Sequence, residues 1–338
     1  MMQAPKFWYT SRSWQAFLLS PLGMVYARAT ARRQKNARRI RMDIPVICIG
    51  NLNVGGTGKT PTTIAIAQML IFRGIAVHIV SRGYGGSLQA VTQVDPRVHT
   101  ADETGDEPLL MAAFAPTWVA NERVSGARAA QDAGADVILL DDGFQDPSLI
   151  KDLSIIVVDA TRGFGNGRCL PAGPLREPVH VGLKRANAVI SIGKPEAQSQ
   201  FRERAADQLD RIAHITASLK PIEMGMPWAE GRYLAFAGIG DPEKFFGTLR
   251  GLGAPLVRTV ALDDHQKLAR PMIKRLMKEA QSMNAQLVTT EKDAARLPAD
   301  LRSGILSLPV RLEFDDAHVL ETLLELVLSM IGDQANSP

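Results

Sequence analysis

Cysteine is almost absent from this chain. Its 338 residues include two, Cys48 and Cys169, too few for a disulfide framework and in no CxxC pair with metal-ligand spacing, so a reducing compartment is expected. Internal repeats and low-complexity tracts are lacking, which excludes solenoid and tail-like architectures. Aromatic residues make up only 6%, and the apolar N-terminal stretch is broken by Gln15, Ser20 and Pro21, short of the roughly 20 residues that span a bilayer. Acidic residues are missing altogether from residues 1–42, which hold nine Lys or Arg; the remainder has 30 basic and 35 acidic residues, a balance of −5 within a total of +4. The basic excess therefore belongs to one terminal segment, and the body carries no nucleic-acid footprint. What is present, 46% hydrophobic and 22% charged residues, is ordinary globular usage over a length suited to about two domains.

The N-terminal segment begins with an aromatic cluster (Phe7, Trp8, Tyr9, Trp14, Phe17) and continues through Leu18, Leu19, Leu22, Met24, Val25 and Tyr26. Seven cations follow: Arg28, Arg32, Arg33, Lys35, Arg38, Arg39 and Arg41. Trp and Tyr suit the headgroup level, and each Lys or Arg near an anionic leaflet adds about 1 kcal/mol. This layout fits an amphipathic helix lying on a membrane; an RNA-binding arm and a helix packed on the body with a solvated basic face are the competing readings. A secretory signal would place its cations before the apolar run.

From Ile44 onward, short apolar runs alternate with helical stretches, as in a parallel sheet covered by helices. Strands are expected at 45–49, 76–80, 117–120, 137–140, 155–158 and 188–192, with helices at 60–73, 107–115, 124–133 and 198–210. A second alternation is expected from 216–219, with strands at 233–237, 256–261, 286–289 and 309–312 and helices at 242–252, 269–283 and 317–331. The expected organisation is a membrane-associating segment (1–42), a nucleotide-binding domain (43–212), a linker rich in Pro and Gly (213–232) and a smaller α/β domain (233–338).

The first of these strands runs into Gly50-Asn51-Leu52-Asn53-Val54-Gly55-Gly56-Thr57-Gly58-Lys59-Thr60 and then a helix. Glycines let backbone N–H groups turn around phosphate oxygens, the helix offers its positive N-terminus, Lys59 can reach the β/γ-phosphates and Thr60 can hold Mg²⁺. This is a variant P-loop, with Asn53 where the strict pattern has Gly, and the expected nucleotide contacts run from Asn53 through Thr60. A P-loop fold also needs a metal-side carboxylate after a neighbouring strand, and Asp141-Asp142 follows Val137 to Leu140. Either acid might instead cap a turn. Asp159 is a weaker candidate of the same kind.

Phosphoryl transfer further requires an acceptor base and surrounding cations. Three stretches after successive strands can supply them: Ser81 to Gly86, Gly105-Asp106-Glu107-Pro108, and the Gly-rich run 163–168 followed by Leu175-Arg176-Glu177-Pro178. Asp263-Asp264-His265 and Thr290-Glu291-Lys292-Asp293 follow strands in the second half; the latter lacks the Asn of a guanine-reading motif, which argues against GTP.

Taken in order, the blocks Gly50 to Pro61, Ser81 to Gly86, Gly105 to Leu110, Leu140 to Gln145, Gly163 to Pro178, Ala235 to Phe246 and Thr290 to Leu297 resemble the tetraacyldisaccharide 4'-kinase (lipid A 4'-kinase) family over nearly the whole chain. The resemblance implies a P-loop NTPase-like parallel sheet with helices on both faces, a second smaller α/β domain and an N-terminal membrane-contact helix. It further implies ATP and Mg²⁺, phosphorylation of the 4'-hydroxyl of a disaccharide 1-phosphate lipid A precursor, and attachment to the cytoplasmic face of the bacterial inner membrane. By position, Asp106 resembles the family's general base with His265 as partner, Asp141 and Asp142 its metal-side acids, and Tyr84, Glu107, Arg123, Arg176 and Glu177 its polar cleft residues. Two positions depart from the pattern: Gln145-Asp146 stands where the family commonly has Gln-His, and Asp264-His265-Gln266 where it has Asp-His-His. Outside this family, a membrane-docked P-loop switch ATPase of the partitioning type and a basic-armed RNA-associated ATPase remain alternatives. The first normally carries a further lysine near the start of the loop, where this chain has Asn53 and Val54.

Overall fold

A computed structural model describes residues 4–10, 12–222, 225–264 and 266–335. Among the described residues thirteen strands run in chain order: β1 Val46–Gly50, β2 Val77–Ser81, β3 Thr92–Gln93, β4 Thr117–Val119, β5 Val137–Asp141, β6 Leu153–Asp159, β7 Ala188–Ile192, β8 Ala213–Pro221, β9 Tyr233–Ala237, β10 Leu256–Ala261, β11 Gln286–Thr290, β12 Leu306–Leu308 and β13 Val310–Phe314. They form a large sheet, β13-β8-β7-β6-β1-β5-β2-β4-β3, and a small one, β10-β9-β11-β12. The small sheet is parallel throughout; the large one is parallel except for its two edge pairs, β13 with β8 and β3 with β4.

Central strands β1, β5 and β6 are buried at every position because helices cover both faces, which is why they read as unbroken apolar runs. Ile47 and Ile49 face one core with Ile64, Ile66 and Leu70 of the helix Lys59–Phe72, whereas Cys48 faces the other with Ile138 and Phe144. Each such aliphatic side chain contributes about 1.5–3 kcal/mol. The polar faces of these elements are few, and chemistry is confined to the strand ends.

Sheet membership differs from the expected division at two places. Strand β8 pairs in parallel with β7, so the first nine residues of the expected linker extend the large sheet. Strand β13 returns to pair antiparallel with β8, and the helix His318–Ala335 packs Leu320, Leu324 and Val327 into the large sheet's core. The chain thus inserts the small sheet into the large one and comes back; alternation along the sequence cannot reveal such a return, because β13 has the same apolar pattern wherever it pairs. The helix expected at 198–210 is two, Pro195–Arg204 and Ala206–Leu209.

The N-terminal helix Trp14–Asn36 lies against the loop after β6. Its Gly23 leaves no room for a side chain, since a Cβ would stand 2.9 Å from the Cys169 carbonyl oxygen. Gln34 and Arg33 donate to the Gln145 carbonyl at 2.8 and 3.0 Å. Apolar and basic residues separate along this helix more than around it: Trp14, Phe17, Leu18, Leu22 and Val25 are all exposed, and the cations follow. Among the described residues, no helix is long and apolar enough to cross a membrane.

Candidate active site

Parallel pairing sets the site. The register places Asp141, the last residue of β5, beside Ile49 of β1, so one carboxylate emerges next to the point where the P-loop begins. Gly50 must be glycine there, for a Cβ would sit 2.5 Å from that of Phe144. The loop turns through Gly55 and Gly58, at φ +103° and +96°, and a Cβ on Gly55 or Gly56 would meet nothing within 4 Å, which leaves open space above the backbone. Lys59 and Thr60 open the helix beneath it.

Val54 to Thr60 line a cleft of about 2030 Å³, together with Tyr84, Asp106, Glu107, Arg123, Asp141, Asp142 and Arg176. Asn53 does not line it. Its side chain is buried and donates to the Gly163 carbonyl at 3.0 Å while Val54 N–H donates to Pro174 at 2.8 Å, so Asn53 anchors the loop from behind instead of meeting phosphate. Glu177 is likewise turned away, buried and paired with Arg185, with Gln145 Nε2 at 3.1 Å. Arg123 borders the cleft, but its guanidinium donates to Asp146 at 2.9 Å and the Asp142 carbonyl at 2.8 Å, holding the acidic turn. Asp146 thereby fills with an ion pair the place where the family commonly has His.

The paired acids are electrostatically unlike. Asp141 is 1% exposed, and burial, reinforced by Glu107 and opposed by Lys59, pushes its pKa up to about 7. Ser81 Oγ donates to its Oδ2 at 3.2 Å, and its Oδ1 has no hydrogen-bond partner. Burial also pushes Asp142 up, but Lys59 at 3.8 Å and Arg176 at 3.0 Å outweigh it and hold that carboxyl below its ordinary value. The two neighbouring carboxyls are thus shifted in opposite directions, one by burial and one by its cations. Among the described residues no three His, Cys, Asp or Glu side chains gather as a metal-holding cluster.

Across the cleft, the second sheet brings its own charges. Asp106, 5% exposed at the start of the helix Asp106–Met111, has Lys292 Nζ at 3.7 Å and Arg296 Nε at 3.9 Å. Lys292 also reaches Glu107 at 3.0 Å; burial would lower its pKa, but Glu107 and Asp106 raise it overall. Lys244 meets Asp159 at 2.6 Å, so that acid holds the two sheets together, and Arg162 meets Asp241 at 3.4 Å. Lys292 and Arg296 were not singled out as site residues from the sequence. Their signal was a pair of cations four apart directly after a strand, which places both on one helix face. His265 lies outside the described residues.

The family described as "Tetraacyldisaccharide-1-P 4'-kinase" matches residues 15–328. The chain belongs to this family. A tetraacyldisaccharide 4'-kinase of Dinoroseobacter shibae is 56% identical over 327 residues, 96% of this chain and 97% of the relative. One of Jannaschia sp. is 53% identical, covering 97% of this chain and 99% of its own length. In fold, the chain is similar to a crystal structure of LpxK from Aquifex aeolicus in complex with ATP, with a TM-score of 0.74 and 24% identity over 93% of this chain and 99% of that one. The large parallel sheet with a P-loop at its centre is the fold common to both.

Proposed function

We propose that this chain is an ATP-dependent kinase that moves the γ-phosphate of ATP to the 4'-hydroxyl of a tetraacyldisaccharide 1-phosphate, a step of lipid A biosynthesis. The observation that carries the reading is the meeting, in one cleft, of the P-loop Lys59, the acid pair Asp141 and Asp142, and the buried Asp106.

The open glycine cradle and Lys59 would bind the phosphates of ATP, and Thr60 with Asp141 and Asp142 would hold Mg²⁺ or its waters. The partnerless Asp141 Oδ1 fits that ion. When bound, Mg²⁺ neutralises charge on the β- and γ-phosphates. Asp106 accepts the proton of the acceptor hydroxyl as its oxygen bonds to the γ-phosphorus and the bond to ADP breaks. Lys292 Nζ at 3.7 Å and Arg296 Nε at 3.9 Å face the Asp106 carboxylate from the other side of the cleft. Arg176 and the exposed Tyr84 stand at the cleft wall to meet the sugar and its phosphate, and the partnership of His265 with Asp106 rests on family resemblance. Because the substrate's acyl chains stay in the bilayer, the exposed apolar residues of the N-terminal helix and the cations after them would seat the cleft at headgroup level, on the cytoplasmic side where ATP is available.

The experiment supplies radiolabelled ATP and a lipid disaccharide monophosphate in mixed micelles. A bisphosphorylated glycolipid is expected. Hydrolysis of ATP at the same rate with or without the lipid, and no labelled lipid, would replace this reading with that of a switch ATPase.

A further inference from the structure

Arg296 touches more of the molecule than an ordinary surface cation. Its Nη2 donates to the Gly238 carbonyl at the end of β9, 3.1 Å away, and its Nη1 to the Gln266 carbonyl at 3.2 Å. Fully buried Asp293 pairs closely with the same guanidinium, while its other oxygen accepts from Gly238 N–H at 3.0 Å and Thr290 Oγ1 at 2.7 Å. A guanidinium is planar, so fixing two of its nitrogens fixes the direction of the third. That third nitrogen, Nε, has no hydrogen-bond partner and stands 3.9 Å from Asp106 Oδ2. One helical turn earlier, Lys292 holds Glu107 at 3.0 Å.

From this geometry we infer that Arg296, with Lys292, is a positioning residue that sets Asp106 and Glu107 from the opposite side of the cleft. The inference rests on the reading of Asp106 given above. An approach of about 1 Å turns the Arg296–Asp106 pair into a charge-assisted hydrogen bond, the strong kind. The carboxylate is thus approached from both sides, by the Glu107 N–H of its own helix at 3.1 Å and by two cations of the small-sheet unit at 3.7 and 3.9 Å.

The test uses the full chain with ATP and the lipid disaccharide, and compares Arg296→Lys, Lys292→Met, Glu107→Gln and the Lys292→Met/Glu107→Gln double variant. Binding of a fluorescent ATP analogue and the melting temperature report folding. Arg296→Lys keeps the charge but loses the fork, and is expected to lower kcat at least tenfold with KM for ATP changed less than twofold. Lys292→Met should lower kcat in the same manner, and the double variant should be no slower than the slower single one, because both substitutions break one contact. A purely structural role would lower the melting temperature and leave kcat of the folded fraction intact. Retention of kcat within twofold in Lys292→Met and in Arg296→Lys, or only in Lys292→Met if Arg296→Lys does not fold, would overturn the inference, as would losses that multiply in the double variant. Wild-type protein that yields no phosphorylated lipid would instead overturn the reading on which the inference stands.

Discussion

Lys59 and Asp142 stand 3.8 Å apart, nitrogen to oxygen, and Arg176 holds both oxygens of the same carboxylate, at 3.0 and 3.1 Å. In the protein without nucleotide, Asp142 therefore occupies the cations that phosphates would otherwise draw. On the proposed function, Asp142 would compete with metal-free ATP and help the metal-bound form.

Asp142→Asn should consequently tighten binding of ATP in EDTA by up to about fivefold, the equivalent of the ~1 kcal/mol that a partly exposed ion pair is worth. Turnover with Mg²⁺ should fall in the same variant. Lys59→Met should lower kcat by about 10²–10³-fold, the usual loss when one preorganised group facing developing charge is removed. Calorimetric titration and steady-state rates check both. Equal loss of ATP affinity in EDTA for the two variants would contradict the competition.

Asp141 gives a pH dependence with a definite sign. Its folded pKa is raised to about 7 from the ordinary carboxylate value of 3.8, mainly by burial. Between those values the folded state binds the extra proton, so stability falls as pH rises through this window. In EDTA and without nucleotide, the melting temperature of the wild type should drop from pH 5 to pH 8 more than that of Asp141→Asn, which has no such proton to lose. Added Mg²⁺ and nucleotide should flatten the wild-type slope, since a cation favours the ionised carboxylate. Parallel slopes for wild type and variant would show that Asp141 is not the titrating group.

Much of the site was legible because its parts are local. The P-loop, the Asp141-Asp142 pair and Gly105-Asp106-Glu107 each follow an apolar run directly, and strands in a parallel sheet deliver such residues to one edge. What the sequence withheld is non-local. Asn53 reads as a loop residue facing phosphate until Gly163 is known to stand behind it. Glu177 reads as a cleft acid until Arg185 is found to cover it. Lys292 and Arg296 become meaningful only when β11 is seen to aim their helix at Asp106. The return of β13 to β8 was hidden for the same reason: pairing partners are chosen in space, and a short apolar strand carries no address.

Gly105 precedes Asp106 at φ +86°, and a Cβ there would stand 2.8 Å from the Tyr84 carbonyl oxygen. Gly105→Ala therefore meets both a backbone region essentially reserved for glycine (φ +86°, ψ 154°), costing about 1–3 kcal/mol, and a clash with backbone that cannot rotate away. The strain should be relieved by displacement of Asp106. The expected result is a lower melting temperature together with a fall in kcat larger than that in ATP affinity. Gly74→Ala is the control: it shares a positive φ, at +78°, but its Cβ would meet nothing within 4 Å, so it should cost stability alone.

The proposed membrane contact would divide between two forces that can be measured separately. Phe17 is 75% and Leu22 57% exposed on the N-terminal helix, and no described element covers them. Arg28 and Arg32, four apart and exposed, lie on one face of the same helix. Binding to vesicles containing phosphatidylglycerol should weaken about 30-fold when both arginines are replaced by Gln, at about 1 kcal/mol for each cation, and this loss should vanish at high salt. Phe17→Asp with Leu22→Asp should weaken binding at every salt concentration, because apolar insertion is not screened. Phosphorylation of a short-chain, water-soluble disaccharide phosphate should be unchanged in both pairs, since none of these four side chains lines the cleft. Vesicle binding insensitive to either pair would place the membrane contact elsewhere in the molecule.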